Sequence, residues 1–396
     1  MRIGVYLVGL DPAYAGGLTT YATGLVNGLL AANQGHDVIV FIRDDTGPLI
    51  ESRLAAASRA IFQPIEVPRR KPLESLSALP GLESLHTRAR NRRMERVAQR
   101  IEAQCDVVLF PLCFMATYAL RIPSIVSFHD LQHELFPQFF TWTALRARRV
   151  LFGATFRHAS LIQASSTAAK SEALRFYADR ITPQRIIVIP EGVDYASFSR
   201  EPAVDARETY HLPDEFLFYP AQLWHHKNHL RVLEALGALR GQHGLTIPLV
   251  LSGGEYEAAT AVRRFVKEHR LQDQVFILGK VPYPALRSLY RQATYVLSAS
   301  LHESNCLPVL EAAASGTPII IAGIAPNRES AAVFQVRLFD PLDVWNIAAT
   351  LKEAWLNKSR NADAVATNRA AAQRFDWTAV AGMFIEHAVR LCAGDR

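Results

Sequence analysis

Cysteine is scarce in this chain, with four in 396 residues (Cys105, Cys113, Cys306 and Cys392), none in a CxxC pair or beside histidine at metal-ligand spacing. That spacing excludes a disulfide framework and a zinc site, and a reducing cytoplasm is the expected compartment. No apolar run approaches the roughly 18 residues that span a bilayer. The N-terminal run Ile3 to Leu10 is stopped by Asp11-Pro12 with no small-residue cleavage site after it, so it reads as a buried strand, and the mature protein is expected to begin at Met1. Low-complexity tracts are absent too. With 49% hydrophobic and 20% charged residues, the disordered and fibrous classes fall away. Neither GxGxxG nor GxxxxGK[ST] occurs, which removes the dinucleotide fingerprint and the P-loop, and no Asp-x-Asp is present to hold a metal against a diphosphate. Neither a cofactor nor a metal is therefore expected.

What is present begins with charge. The net charge of +6 lies entirely in residues 1–200, which hold 23 Lys+Arg against 17 Asp+Glu, leaving 20 of each for the remainder. The densest run is Arg88, Arg90, Arg92, Arg93, Arg96 and Arg100. Such a run is either a solvated helix face or a docking patch for an anionic membrane surface or acidic acceptor. A pI near 9.2 without an aromatic-basic motif gives no nucleic-acid partner.

At this length two domains are expected. Ile3-Gly-Val-Tyr-Leu-Val reads as a strand, and Leu18, Tyr21, Ala22, Leu25, Val26, Leu29 and Leu30 then recur with helical period. Thr19 or Thr20 is the expected cap, Gly35 the expected stop, and the strand from Asp37 closes a parallel βαβ unit. Further strands are expected at 106–110, 123–128, 161–164 and 185–189. Residues 192–214 lose periodicity and carry turn formers, which places the domain junction there. Strands at 215–219, 247–251, 274–278, 294–298, 317–321 and 336–339, separated by helical stretches, imply a second parallel α/β sheet.

In open α/β sheets ligands sit beyond the carboxyl ends of strands, so the residues that follow each strand carry the argument. Ala15-Gly16-Gly17 after the first strand suits either a tight turn or close backbone approach by an anion at a helix start. His129, Asp130, Gln132 and His133 follow the strand ending at Phe128, as an ordinary polar loop or as donors to sugar hydroxyls and phosphate. Lys227 stands just before a helix whose start favours anions, so it is either solvated or neutralises a bound diphosphate. After the strand 294–298 comes Glu303-Ser-Asn-Cys-Leu-Pro-Val-Leu-Glu311, in which Pro308 marks a first helical turn. Glu303 then lies in the preceding loop and Glu311 about one turn inside. Each is either a first-turn glutamate or a carboxylate able to accept two bonds from a vicinal diol.

These residues resemble the family 4 retaining glycosyltransferases over nearly the whole chain. The resemblance implies an α/β fold of GT-B architecture, two Rossmann-like doubly wound parallel-sheet domains facing across a cleft. Residues 1–198 would form the acceptor-side domain, 205–375 the nucleotide-sugar-binding domain, and 378–394 a helix packing back on the first. Glu303 and Glu311, followed by Ala-x-x-Ser-Gly-Thr-Pro, are similar to the family's donor motif, whose first glutamate contacts the transferred sugar and whose second contacts ribose. Gly16-Gly17 resembles the family's glycine loop, His129 its sugar-contacting histidine, Lys227 its diphosphate-binding lysine, and Ile189-Pro-Glu-Gly-Val-Asp194 its Asn-Gly-Val-Asp segment. Two departures stand out. Gln222 replaces the usual arginine, and Ser304-Asn305-Cys306 replaces Gly-Phe-Gly, leaving phosphate neutralisation weaker while backbone contacts by Asn305, Cys306 and Leu307 stay available.

The expected catalytic residues are thus Glu303, His129 and Lys227. Donor contacts fall to Gly16, Gly17, Gln222, Lys227, Asn305 to Leu307 and Glu311, and Asp130 and His133 lie on the acceptor side. Similarity of YPAQLWHHKNH and HDLQHELFPQFF to bacterial polysaccharide enzymes makes GDP-mannose the leading donor and a glycan or lipid-linked saccharide the acceptor. Front-face attack is the expected retaining mechanism. The rivals are a nucleotide-sugar epimerase on the same fold and a non-catalytic nucleotide-sugar-binding protein.

Overall fold

Alternate residues of every strand but one edge strand feed different cores, which is why those strands read as unbroken apolar runs. In β1 (Arg2–Tyr6), Ile3 and Val5 join one buried cluster and Tyr6 another. In β2 (Asp37–Ile42), Val38, Val40 and Ile42 join the first cluster while Ile39 and Phe41 join the second. A sheet buried on both faces is the parallel, helix-covered kind. The computed structural model describes residues 1–10, 16–32, 35–54, 57–68 and 83–394; Asp11-Pro12 and Ala15 lie outside them.

The first sheet adds β3 (Ile61–Pro64), β4 (Val107–Phe110), β5 (Ser124–Phe128), β6 (Leu161–Ala164) and β7 (Ile186–Val188), in the order β3-β2-β1-β4-β5-β6-β7 with every pair parallel. β3 is absent from the sequence reading. Its residues are exposed or half-buried, and an edge strand ending in proline carries no apolar run to reveal it. The second sheet comprises β8 (Leu217–Pro220), β9 (Leu249–Ser252), β10 (Val275–Ile277), β11 (Tyr295–Ser298), β12 (Ile319–Ala322) and β13 (Arg337–Phe339), ordered β10-β9-β8-β11-β12-β13 and again parallel. Both orders reverse once, between β1 and β4 and between β8 and β11. Those reversals are the switch points where α/β sheets hold ligands.

The chain divides into two units, Met1–Gly192 with Trp377–Arg396, and Val193–Asp376. Residues 193–198, assigned from sequence to the first domain, belong to the second, because Phe198 is buried edge-on against Tyr290 at 5.4 Å between ring centroids. The stretch chosen as the junction is also more ordered than its composition suggests. It holds the short helices Tyr195–Ser199 and Ala206–Tyr210, started by Asp194 accepting from the Ser197 N–H and Asp205 from that of Glu208.

The last helix, Trp377–Ala393, packs within the first unit on the first helix, Gly17–Ala31. Glycine makes this approach possible. A Cβ on Gly24 would stand 2.2 Å from the Trp377 ring, one on Gly28 2.2 Å from its carbonyl oxygen, and one on Gly192 2.5 Å from the ring. Burial of a tryptophan of this kind is worth about 3–5 kcal/mol against alanine. The first helix begins at Gly17 with Gly16 as its cap residue, so Thr19 and Thr20 lie in its first turn, their N–H groups donating to the Gly16 carbonyl. Neither threonine is the cap that its composition suggested.

Candidate functional site

The switch point of the second unit brings together two loops 76 residues apart. After β8 the chain makes a 3-10 turn, His225–Lys227, and enters the helix His229–His243; after β11 it passes through Ser300 and Glu303 to the helix Leu307–Ser315. Because β8 and β11 are hydrogen-bonded neighbours, the loops leave side by side. The Leu301 N–H donates to the His226 carbonyl at 2.8 Å, and the Tyr219 hydroxyl donates to the Lys227 carbonyl at 2.5 Å. Lys227 Nζ then donates to Glu303 Oε1 at 2.5 Å, both side chains mostly buried. Burial alone would raise the Glu303 carboxyl, but the charge and hydrogen bond of Lys227 outweigh it and hold the group below its ordinary value.

Glu311 lies inside the helix Leu307–Ser315, which carries Pro308 in its first turn as the sequence pattern predicts. Its carboxylate accepts from the hydroxyl of the buried Tyr290, a residue that sequence reasoning passed over. The Cys306 N–H, expected to face phosphate, instead donates to Asn305 Oδ1 at 2.9 Å. An Asx contact of this sort satisfies a helix-start donor locally. The Cys306 thiol is buried and pushed up to about 12, mainly by desolvation, so it stays neutral. Gln222 accepts from the Trp224 indole N–H at 2.7 Å, and Trp224 stacks on Tyr256 at 4.0 Å. This aromatic pair was not anticipated either, since Trp224 and Tyr256 sit in loops after different strands.

The first unit places its candidates at the corresponding edge. Gly16 and Gly17 open the first helix after β1. His129 directly follows β5, with Nε2 2.8 Å from the Pro111 carbonyl oxygen and Nδ1 3.7 Å from Glu191 Oε1. Burial disfavours a charged His129, but Glu191, the Pro111 carbonyl and Asp130 together outweigh it, and the ring pKa stands above its ordinary value. The Tyr21 ring meets that of His129 edge-on at 4.5 Å. Asp130 is half-buried and accepts from the Gln132 N–H at 3.1 Å.

His133 is different. It is fully buried, stacked on Phe152 at 4.8 Å with Nε2 3.2 Å from the Tyr177 hydroxyl, and desolvation pulls it down to about 4. The ring is a neutral core group, and this corrects its acceptor-side assignment: the one-turn helix Gln132–Leu135 turns it inward. Among the described residues no cluster of three or more His, Cys, Asp or Glu side chains is arranged to hold a metal ion.

Two doubly wound α/β units, one with a lysine–carboxylate pair and a second glutamate at its switch point, define a protein of GT-B architecture. The model for Glycosyltransferase Family 4 matches residues 15–197 and that for Glycosyl transferases group 1 matches residues 205–371. The chain belongs to this glycosyltransferase family. It is 25% identical over 258 residues to O-antigen chain mannosyltransferase B of Escherichia coli, spanning 64% of this chain and 67% of that protein. It is 27% identical over 256 residues to the GDP-mannose:cellobiosyl-diphosphopolyprenol alpha-mannosyltransferase of Xanthomonas campestris, 63% of this chain and 64% of the relative. Against the serotype-specific mannosyltransferase WbdA of Escherichia coli the identity is 27% over 60% of this chain, but only 30% of that protein is spanned. Among solved structures, sucrose-phosphate synthase from Thermosynechococcus elongatus matches with a TM-score of 0.76 at 19% identity, covering 100% of both chains. HepE of Anabaena in complex with UDP and glucose matches with a TM-score of 0.72 at 18% identity, covering 98% of this chain and 99% of that one.

Proposed function

We propose that this chain is a retaining, metal-independent glycosyltransferase that takes mannose from GDP-mannose and delivers it to a saccharide or lipid-linked saccharide in surface-polysaccharide assembly. The observation that carries the reading is the Lys227–Glu303 pair at the second unit's switch point, with Glu311 one turn into the adjoining helix. An ammonium held beside a carboxylate can turn to a diphosphate, where it neutralises the leaving group's charge. Glu303 is thereby released to accept from sugar hydroxyls, and Glu311 is assigned to ribose. The mannosyltransferase relatives support the sugar, and the GDP-mannose enzyme of Xanthomonas campestris supports the base.

Attack from the face of the leaving group accounts for retention with the groups available, because the departing phosphate oxygen can take the acceptor's proton. The first unit's arginines support work at an anionic surface: Arg88, Arg92, Arg96 and Arg100 are exposed. No helix among the described residues is long and apolar enough to cross a membrane.

The test is a panel of GDP-, UDP- and dTDP-sugars read by thermal stabilisation and by transfer to saccharide acceptors. GDP-mannose should raise the melting temperature most, since ligand at 100 times its Kd adds about 2.7 kcal/mol. Mannose should then be transferred with retained configuration in the presence of EDTA. Stabilisation by UDP-sugars alone would overturn the donor, and loss with EDTA restored by Mg²⁺ or Mn²⁺ would overturn metal independence.

A further inference from the structure

Glu191 is a buried acid outside every role assigned so far. It lies in the segment Ile189 to Asp194, where the similar family segment reads Asn-Gly-Val-Asp, and its side chain is 7% exposed. Its carboxylate stands 3.7 Å from His129 Nδ1, an ion-pair distance and too long for a strong hydrogen bond. The other ring nitrogen is committed: Nε2 lies 2.8 Å from the Pro111 carbonyl oxygen, which only accepts, so Nε2 carries a proton. With a single ring proton, the Nδ1 lone pair would face a carboxylate. With two, both nitrogens face acceptors.

The surroundings hold this arrangement. Tyr21, edge-on to the His129 ring, donates to Gln163 Oε1 at 2.9 Å and lies 2.8 Å from Ser127 Oγ, while Gln163 Nε2 donates to the Ile189 carbonyl at 2.6 Å. The segment carrying Glu191 and the strand end carrying His129 are therefore bound to one buried network.

We infer that Glu191 is a positioning residue that fixes the His129 ring and holds it as the imidazolium, so that His129 serves the reaction as a fixed positive charge and not as a base. This rests on the reading that His129 faces the anionic donor. The other titratable groups near the ring do not supply the charge balance as Glu191 does. Asp130, from the same loop, adds to the attraction; the Cys113 thiol is pushed up to about 12 by burial, and burial likewise raises the Tyr21 phenol, so both stay neutral. Desolvation of the ring is outweighed by Glu191 together with the Pro111 carbonyl and Asp130, so the ring pKa stands above its ordinary value.

The experiment follows the His129 ring by ¹⁵N–¹H correlation spectra of the full chain as pH is raised, alongside the pH dependence of transfer. In Glu191→Gln the ring should lose its proton at lower pH than in wild type, and the alkaline limb of kcat should move down with it while KM for donor at low pH is unchanged. Glu191→Asp, which keeps the charge, should restore part of both. Spectral dispersion like that of wild type verifies that the variants fold. An unshifted ring titration in Glu191→Gln overturns the pairing itself. A ring titration that shifts while the rate profile does not overturns the charge role of His129, and these two outcomes are separable even if the chain uses another donor.

Discussion

Lys227 Nζ lies 2.5 Å from Glu303 Oε1, although the two residues are 76 positions apart and leave different strands. Side-by-side exit from β8 and β11 brings them together, and the Leu301–His226 backbone bond keeps them there. Two residues singled out separately, one for phosphate and one for sugar, thus form a single charged element.

Lys227→Ala should weaken binding of the nucleoside diphosphate far more than that of the nucleoside, by about 1.5–3 kcal/mol, roughly ten- to hundredfold in Kd. Isothermal calorimetry with both ligands checks it; equal losses would remove the lysine from the phosphates. The same change leaves Glu303 without its cation. Because Glu303 is held below its ordinary value of 4.5, the pair's stabilisation is present above that value and is lost as pH falls through the lower folded one. Lys227→Ala should therefore lose part of the acid dependence of stability along with the pair.

Glu311 has a structural partner as well as a proposed ligand. Glu311→Ala leaves the buried Tyr290 hydroxyl without its acceptor, at a cost of about 1–3 kcal/mol, besides weakening donor binding. Tyr290→Phe separates the two effects: it should restore stability in the Glu311→Ala background without restoring affinity. Denaturant unfolding and donor calorimetry on the two single variants and the double variant give the answer, and full donor affinity in Glu311→Ala would reject the ribose assignment.

The six-arginine run divides into two kinds. Arg90 donates to the carbonyls of Met115 and Ala116 and lies over the Tyr118 ring, and Arg93 donates to the Pro68 carbonyl. The exposed Arg88, Arg92, Arg96 and Arg100 are each worth about 1 kcal/mol near an anionic surface. Changing these four to glutamine should abolish co-sedimentation with anionic vesicles and spare stability, whereas Arg90→Gln should lower the melting temperature and leave sedimentation nearly intact. Sedimentation of wild type that neither salt nor the four substitutions alters would make this a solvated face.

Buried histidines should make the fold sensitive to acid. His133 is pulled down to about 4 and His229, stacked on Tyr219, to about 3, both chiefly by desolvation. A depressed histidine supports the fold fully above its unfolded value of about 6.5, and stability declines as pH falls from there toward the folded value. His133→Phe should narrow the gap between melting temperatures at pH 7 and pH 5, even though the Tyr177 contact is lost at both. An unchanged gap would assign the acid response elsewhere.

Much of the fold was legible because it depends on short-range pattern. Continuous apolar runs marked the positions of twelve of the thirteen strands described to within a residue or two, and the Pro308 signal placed the helix that carries Glu311. The same chemistry missed β3, where edge exposure removes the apolar signal, and misplaced the helix cap at Thr19 or Thr20. His133 illustrates a further limit: a polar residue four positions beyond His129 reads as part of the same ligand edge until the direction of a one-turn helix is known.

Local composition and spacing were enough to identify the strand-to-loop edges and to place Lys227, Glu303, Glu311 and His129 at or just beyond them. Which of these touch, and what charge each carries, required contacts far apart in the chain. Glu303 answers to Lys227, Glu311 to Tyr290, and His129 to Glu191 from beyond β7. No sequence period links such partners. Parallel strand order and burial bring them together, and desolvation makes the strength of each pairing depend on the surrounding core.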